Sequence, residues 1–384
     1  MFTITFGGWY QRTTLHLSEI YDLFARGKSN LNLDKGKLNN FLHNFDFVSV
    51  TREWGDLEYI KCKTRNGIEV RYYEDGLYIL EITTNDVKSG QNILTYYYEE
   101  HIHPAVSYIF SLGAPTPKIL AAIKTSHPVV ISTVSAKSKD LLNKYKFGEV
   151  YNEVISKSLS VFKTPKYVVM VTTKKEKYLQ DLIEMQIFFR EFKDQLQTYL
   201  DIHREVWEEI SEIKERGSIQ GKNVEMVRGR LDSLQKTISL IKSRINQMGS
   251  YVKTRGSIAK KLEIDSQLLS IFQYKYETLV NTLNYIQEIW KMTQDYIDTA
   301  IAVVVEVKNQ SANNSIQSLR LITTVGVLSG IIGYLSKVEF PSVTWIGVWY
   351  FFMLITGTWL INQLISLVYQ NIKYKLKFTK KIGR

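Results

Sequence analysis

Few residues of this chain are spaced for bond-making chemistry. The densest group is Glu99-Glu100-His101-Ile102-His103, where His101 and His103 would share one side of a strand and offer two imidazoles to a metal ion. The bland alternative is an ordinary surface cluster. A second group is uncharged: Asn309, Asn313, Asn314 and Gln317 lie just before a run containing Thr323, Gly326, Gly330 and Gly333. Their amides suit a hydrated ion at a pore mouth, and suit a solvated helix surface equally well. Cys62 is the single cysteine, which excludes a disulfide framework or a cysteine zinc site and fits a reducing compartment. No phosphate-binding glycine loop, zinc-protease helix motif or nucleophile with an adjacent base stands out. Neither an enzyme nor a covalently bound cofactor is expected.

The elements that must carry these groups are read from charge and periodicity. The chain has 384 residues, 45% apolar and 12% aromatic, so it can bury a sizeable core and disorder is excluded. Its 49 Lys+Arg against 38 Asp+Glu give a net charge of +11, unevenly spread. No charge occurs from Leu321 to Ser336 or from Phe340 to Ile372. A membrane span needs about 20 mostly apolar residues. The second run exceeds this and carries Trp345, Trp349, Tyr350 and Tyr369 as interfacial aromatics. The first reaches spanning length only when Ile316 to Arg320 are included. A core helical hairpin of a soluble protein is the alternative. Six basic residues and no acid follow Ile372, namely Lys373, Lys375, Lys377, Lys380, Lys381 and Arg384, which predicts a cytoplasmic tail. The connection through Lys337 and Glu339 is too short for a domain, so residues 1 to about 315 are expected on the same side. The start, Met1-Phe-Thr-Ile-Thr-Phe-Gly, has no basic n-region or long apolar run, and no export signal is expected. The basic excess then reads as membrane orientation, and no nucleic-acid partner is expected.

The predicted organisation is α+β: a mixed α/β cytoplasmic domain over 1–172, a long-helix or coiled-coil stalk over 173–315, transmembrane helices at 316–336 and 343–372 joined by an outer loop at 337–342, and a basic tail at 373–384. Short β-type runs occupy the first domain, at Val48–Val50, Leu57–Lys63, Ile68–Tyr73, Leu77–Ile82, Val129–Val134 and Tyr167–Val171. Asn66-Gly67 and Asp75-Gly76 supply the positive φ of tight turns between them. Helices are expected at Leu17–Arg26, Leu38–Phe45 and Asn92–Phe110. Between Pro165 and Pro341 there is no proline, and apolar residues recur at spacings of three and four. One seam is Leu182, Phe189, Phe192, Leu196, Tyr199, Val206, Ile210 and Ile213. A second is Val224, Val227, Leu231, Leu234, Ile238, Ile241, Ile245 and Met248. A third starts at Leu269 and runs to Val307. Breaks are expected near Gly217 and at Gly249-Ser250, and a last helix continuous from Ser257 to Ser336 would be roughly 120 Å long.

Carried into the uncharged run, the spacing gives a stripe of Asn309, Ala312, Ile316, Leu319, Thr323, Gly326, Gly330 and Gly333 that becomes small and weakly polar. It lines a pore in an oligomer, or packs against the second span through its glycines. Asn362 and Gln363, inside the second run, are expected to bond a neighbouring helix.

This order of parts resembles the CorA-type divalent-cation channels. At residue level the resemblance covers Val305 to Arg384: Asn309, the Ser-Leu-Arg-Leu-Ile-Thr-Thr stretch from Ser318 to Thr324, Gly330-Ile-Ile-Gly333 and the lysine-rich end. The family's Gly-Met-Asn triplet is absent, and Gly333-Tyr334-Leu335 stands in its place. The resemblance implies a homopentamer in the plasma membrane with both termini cytoplasmic. It implies a pore made by the first membrane helix and passing magnesium or a related divalent ion, largely hydrated. A divalent ion is then permeant or regulatory. Glu339 would repeat as an outer carboxylate ring, with Lys337 as an opposing ring. The alternative is a non-conducting, membrane-anchored coiled-coil protein for signalling or scaffolding.

Overall fold

The computed structural model describes residues 1–11, 15–113, 128–135, 145, 147–156, 158–174, 178–215, 217–335 and 345–376. They form two compact units, the first made of Met1–Ile202 and Leu240–Ile289, the second of His203–Ser239 and Trp290–Arg384.

The first unit is built on a nine-stranded sheet of order β2-β3-β4-β5-β1-β6-β9-β8-β7. The strands are β1 (Phe2–Trp9), β2 (Phe47–Trp54), β3 (Glu58–Thr64), β4 (Glu69–Tyr73), β5 (Leu77–Thr84), β6 (Val129–Val134), β7 (Asn152–Ile155), β8 (Leu159–Lys163) and β9 (Tyr167–Thr172). Among the described residues only β6 and β9 pair in parallel. The two predicted turns form, with Gly67 at φ 79° and Gly76 at φ 89°, backbone that a side chain would strain. The central strand β1 escaped the sequence reading, although its buried pattern pairs with β5 along its whole length.

One face of the sheet is covered by α1 (Leu17–Arg26), α2 (Lys35–Phe45), α3 (Val87–Tyr97) and α4 (His103–Gly113), the last two joined by a π-helical turn at Tyr98–Ile102. Leu23, Phe24, Phe45, Leu94, Ile102 and Ile109 pack there with Ile4, Ile60, Cys62, Tyr72 and Leu80. Burial pushes the Cys62 thiol up, which leaves it inert. Onto the other face lie the first part of α5 (Leu179–Glu215) and the last part of α6 (Val224–Lys261), where the Trp9 ring meets Phe188 at 5.1 Å and Phe192 at 6.1 Å. Asp75, in the β4–β5 turn, takes a bidentate pair from Arg255 of α6, Nε–Oδ2 2.7 Å and Nη2–Oδ1 3.0 Å, with both side chains buried. The guanidinium also lies over the Tyr73 ring at 4.8 Å. Such a pair holds only because its remaining polar atoms are met, here also by the Leu77 amide donating to Asp75 Oδ1.

The predicted seams of α5 and α6 are buried throughout. Two helix boundaries differ from expectation. Gly249-Ser250 does not break α6, which runs through both residues; a Cβ added at Gly249 would make only ordinary contact, 3.7 Å from the Leu283 side chain. The last helix does not start at Ser257: α6 ends at Lys261, α7 spans Asp265–Phe272, and α8 spans Tyr276–Leu335. The breaks are made by Glu263 (φ 56°) and Gln273 (φ 61°), left-handed residues that close helix ends without glycine. The α8 helix, 60 residues, is therefore about 90 Å long.

The second unit contains the last part of α5, the first part of α6, α8 from Trp290, and α9 (Trp345–Asn371). Its helices are joined by polar ties: His203 Nε2 to Thr293 Oγ1 at 2.8 Å, Gln235 Nε2 donating to Asp298 Oδ1 at 2.6 Å, and Lys308 Nζ with Glu225 Oε2 at 2.7 Å. A two-stranded pair, β10 (Ser218–Gln220) with β11 (Lys373–Lys375), joins the turn between α5 and α6 to the chain leaving α9. Among the described residues no helix is both long and apolar enough to cross a membrane. Both uncharged runs also include residues outside the described ones, 336 and 340–344, and side chains within α8 and α9 that are not described.

Candidate functional site

The candidate site is the second half of α8. Up to Val307 this helix has a buried face formed by Trp290, Ile297, Ala300, Val304 and Val307. From Lys308 to Gly330 no described side chain is buried. Asn309, Ala312, Ile316, Leu319 and Thr323 of the predicted stripe are exposed, and a Cβ added to Gly326 or Gly330 would meet nothing within 4 Å. Exposure does not single out the stripe, since Leu321 (67%), Val325 (58%) and Leu328 (53%) are equally bare on other faces. Side-chain size does: one face carries Thr323, Gly326 and Gly330, and another carries Leu321, Val325 and Leu328.

Thr323 Oγ1 donates to Leu319 O at 2.8 Å and Thr324 Oγ1 to Arg320 O at 2.7 Å, so each hydroxyl proton is satisfied within the helix. The Thr323 side chain is exposed. At the stripe's start Asn309 and Asn313 are exposed amides. Gly333, Tyr334 and Leu335 form the last turn of α8. Lys337 and Glu339, the predicted outer mouth, lie outside the described residues. Asn362 and Gln363 of α9 are exposed within the chain.

The two candidate histidines do not lie on a strand. His101 lies in the π-helical turn and His103 opens α4, so the strand geometry that would aim both imidazoles one way is absent. The His101 ring packs against Tyr97 at 5.1 Å, whereas His103 Nδ1 sits 2.7 Å from Tyr10 Oη and 3.4 Å from Tyr98 Oη. Among the described residues no group of three or more His, Cys, Asp or Glu could hold a metal ion.

The β10–β11 pair was missed from sequence. Each strand is three residues long, too short for an alternation signal, and the partners are more than 150 positions apart. Gly221 N–H donates to Ile372 O at 3.1 Å and Leu376 N–H to Gly217 O at 2.9 Å, which closes both ends of the ladder.

No protein-family model matches the chain, and no curated protein matches its sequence. Solved structures are similar at low level, among them the following two. One is the complete structure of the CorA magnesium transporter from Methanocaldococcus jannaschii, at 10% identity and a TM-score of 0.29, covering 64% of this chain and 92% of that one. The other is the full-length CmaX protein, at 12% identity and a TM-score of 0.29, covering 65% and 91%. At a TM-score of 0.29 neither likeness decides what this chain does.

Proposed function

We propose that this chain is a CorA-like membrane protein that passes magnesium or a related divalent cation through a homopentameric pore lined by the second half of α8. In this reading α8 and α9 cross the plasma membrane as two spans, both termini are cytoplasmic, and Glu339 and Lys337 ring the outer mouth. The observation that carries it is the bare end of the chain. Large apolar side chains of α8 and α9, including Leu321, Val325, Trp349, Trp359, Leu364 and Val368, are more than half exposed, in stretches without a charged residue. Bare apolar surface on this scale calls for lipid or other copies of the chain. The small face of α8 supports the axis assignment, because close approach of five helices needs small residues, and hydrated magnesium needs oxygen acceptors such as Thr323 Oγ1 and the Asn309 amide.

The test is flux and mass together. The wild-type chain, reconstituted in vesicles, should carry a saturable magnesium flux and give a pentamer by native mass. Gly330→Leu should lower that flux at least tenfold with the pentamer retained. Unchanged flux in Gly330→Leu would remove Gly330 from the axis. A dimer or trimer without flux would favour the non-conducting anchor.

A further inference from the structure

We infer that the β10–β11 pair forms, with the turn between α5 and α6, a binding surface for the headgroups of anionic phospholipids; this rests on the membrane reading of α8 and α9. Four observations within the second unit carry it. First, β11 begins two residues after α9 ends, and Leu364, Leu367 and Val368 in the last two turns of α9 are exposed apolar residues. If α9 spans the bilayer, β11 lies where hydrocarbon gives way to headgroups. Second, the strand alternation turns Tyr374 inward with its pairing partner Ile219, both under 9% exposed, and turns Lys373 and Lys375 outward. Third, the ladder brings Lys222 to the Lys373 end, two residues beyond Gln220, which pairs with Lys373, while Lys375 stands at the other end of the three-residue ladder, opposite Ser218. All three ammonium groups lie on exposed residues. Fourth, the turn is held there a second time, by the Lys308–Glu225 ion pair to α8, which also occupies the nearby Glu225 carboxylate.

The outcome is a fixed cluster of lysines at the edge of an apolar helix, with Glu225 already paired. Exposed ammonium groups at that depth are attracted by a negatively charged leaflet. The site differs from a basic tail in having structure: one of its lysines comes from a helical turn more than 150 residues upstream, and the backbone ladder sets their spacing.

The experiment uses the full chain in nanodiscs of phosphatidylcholine alone or with 30% phosphatidylglycerol, and counts phosphatidylglycerol retained by native mass after detergent exchange. Wild type should retain it over phosphatidylcholine. The triple variant Lys222→Gln, Lys373→Gln, Lys375→Gln should lose at least fivefold of that retention. So should Ile219→Asp, which keeps every lysine and breaks the ladder by burying a carboxylate against Tyr374. Replacing Lys380 and Lys381 with Gln should change retention less than twofold. Retention unaltered in the triple variant, or in Ile219→Asp shown by hydrogen exchange to have lost the ladder, would overturn the inference while leaving the membrane reading intact. Failure of the wild type to enter nanodiscs at all would overturn both.

Discussion

The sheet of the first unit and the far end of α8 with α9 use similar aliphatic and aromatic side chains with opposite outcomes. Ile4, Ile60, Leu80 and Ile131 are fully covered, whereas Leu321, Val325, Trp359 and Leu364 are about half exposed or more. The difference is topological. A nine-stranded sheet with helices on both faces closes over its own apolar surface, and its charged groups are paired inside, as Asp75 is with Arg255. Helices α8 and α9 are each apolar nearly all round near the end, and two such helices leave most of that surface bare. The first unit buries its large apolar core within one chain; the end of the second leaves large apolar side chains exposed.

The largest way to break this comparison is to damage the complete side. Asp75→Ala leaves the Arg255 guanidinium buried and unpaired, and should cost about 3–5 kcal/mol in denaturant unfolding of the full chain. The double variant with Arg255→Ala should recover part of that loss, and strict additivity would mean that the two groups do not act as a pair. Next comes Leu360→Lys near the middle of α9. Facing lipid, the lysine should raise the cost of insertion by about 2.5–3.5 kcal/mol and reduce the fraction resisting carbonate extraction. Facing water, it should change stability by less than about 0.5 kcal/mol, which would make the bare end an ordinary surface. A smaller contrast is Ile131→Val in the sheet, about 1 kcal/mol by loss of one methylene, against Val325→Ala, expected to leave unfolding of the first unit unchanged.

The smallest effect is a pair of opposite pH slopes. Burial pushes the Glu184 carboxyl up, and the nearby Arg71 and the Tyr73 hydroxyl, which donates at 2.5 Å, only partly offset it. A raised carboxyl binds its proton more tightly in the folded state, so its contribution is present below the ordinary carboxyl range and declines as pH rises through the raised value. Burial lowers His203, so its contribution is present above the ordinary histidine range and is lost as pH falls through the lowered value. Thermal melts of Glu184→Gln and His203→Gln across pH 4 to 8 should therefore each flatten a slope, of opposite sign. Slopes of the same sign would refute the assignment of one of them.

Much of the fold was legible because it is written in neighbouring residues. Asn66-Gly67 and Asp75-Gly76 announce turns through their own φ preferences, and Leu182 to Ile213 and Val224 to Met248 announce helix faces through a period that any window along the chain displays. The candidate stripe was legible in the same way, as small residues at helical spacing. The strand considered for His101 and His103 is a helix instead, and two residues of separation mean one side on a strand and divergent directions on a helix. The helix breaks at Glu263 and Gln273 carry no glycine or proline to mark them.

What the sequence determined by itself was therefore periodic and local: turns, seams, two uncharged runs and a basic end. The tertiary structure alone decided that Asp75, legible only as a turn residue, is the ion partner of Arg255, and that Lys373–Lys375 pair with Ser218–Gln220. Both join residues more than 150 positions apart, and such contacts depend on where intervening helices and strands end, which no local preference encodes.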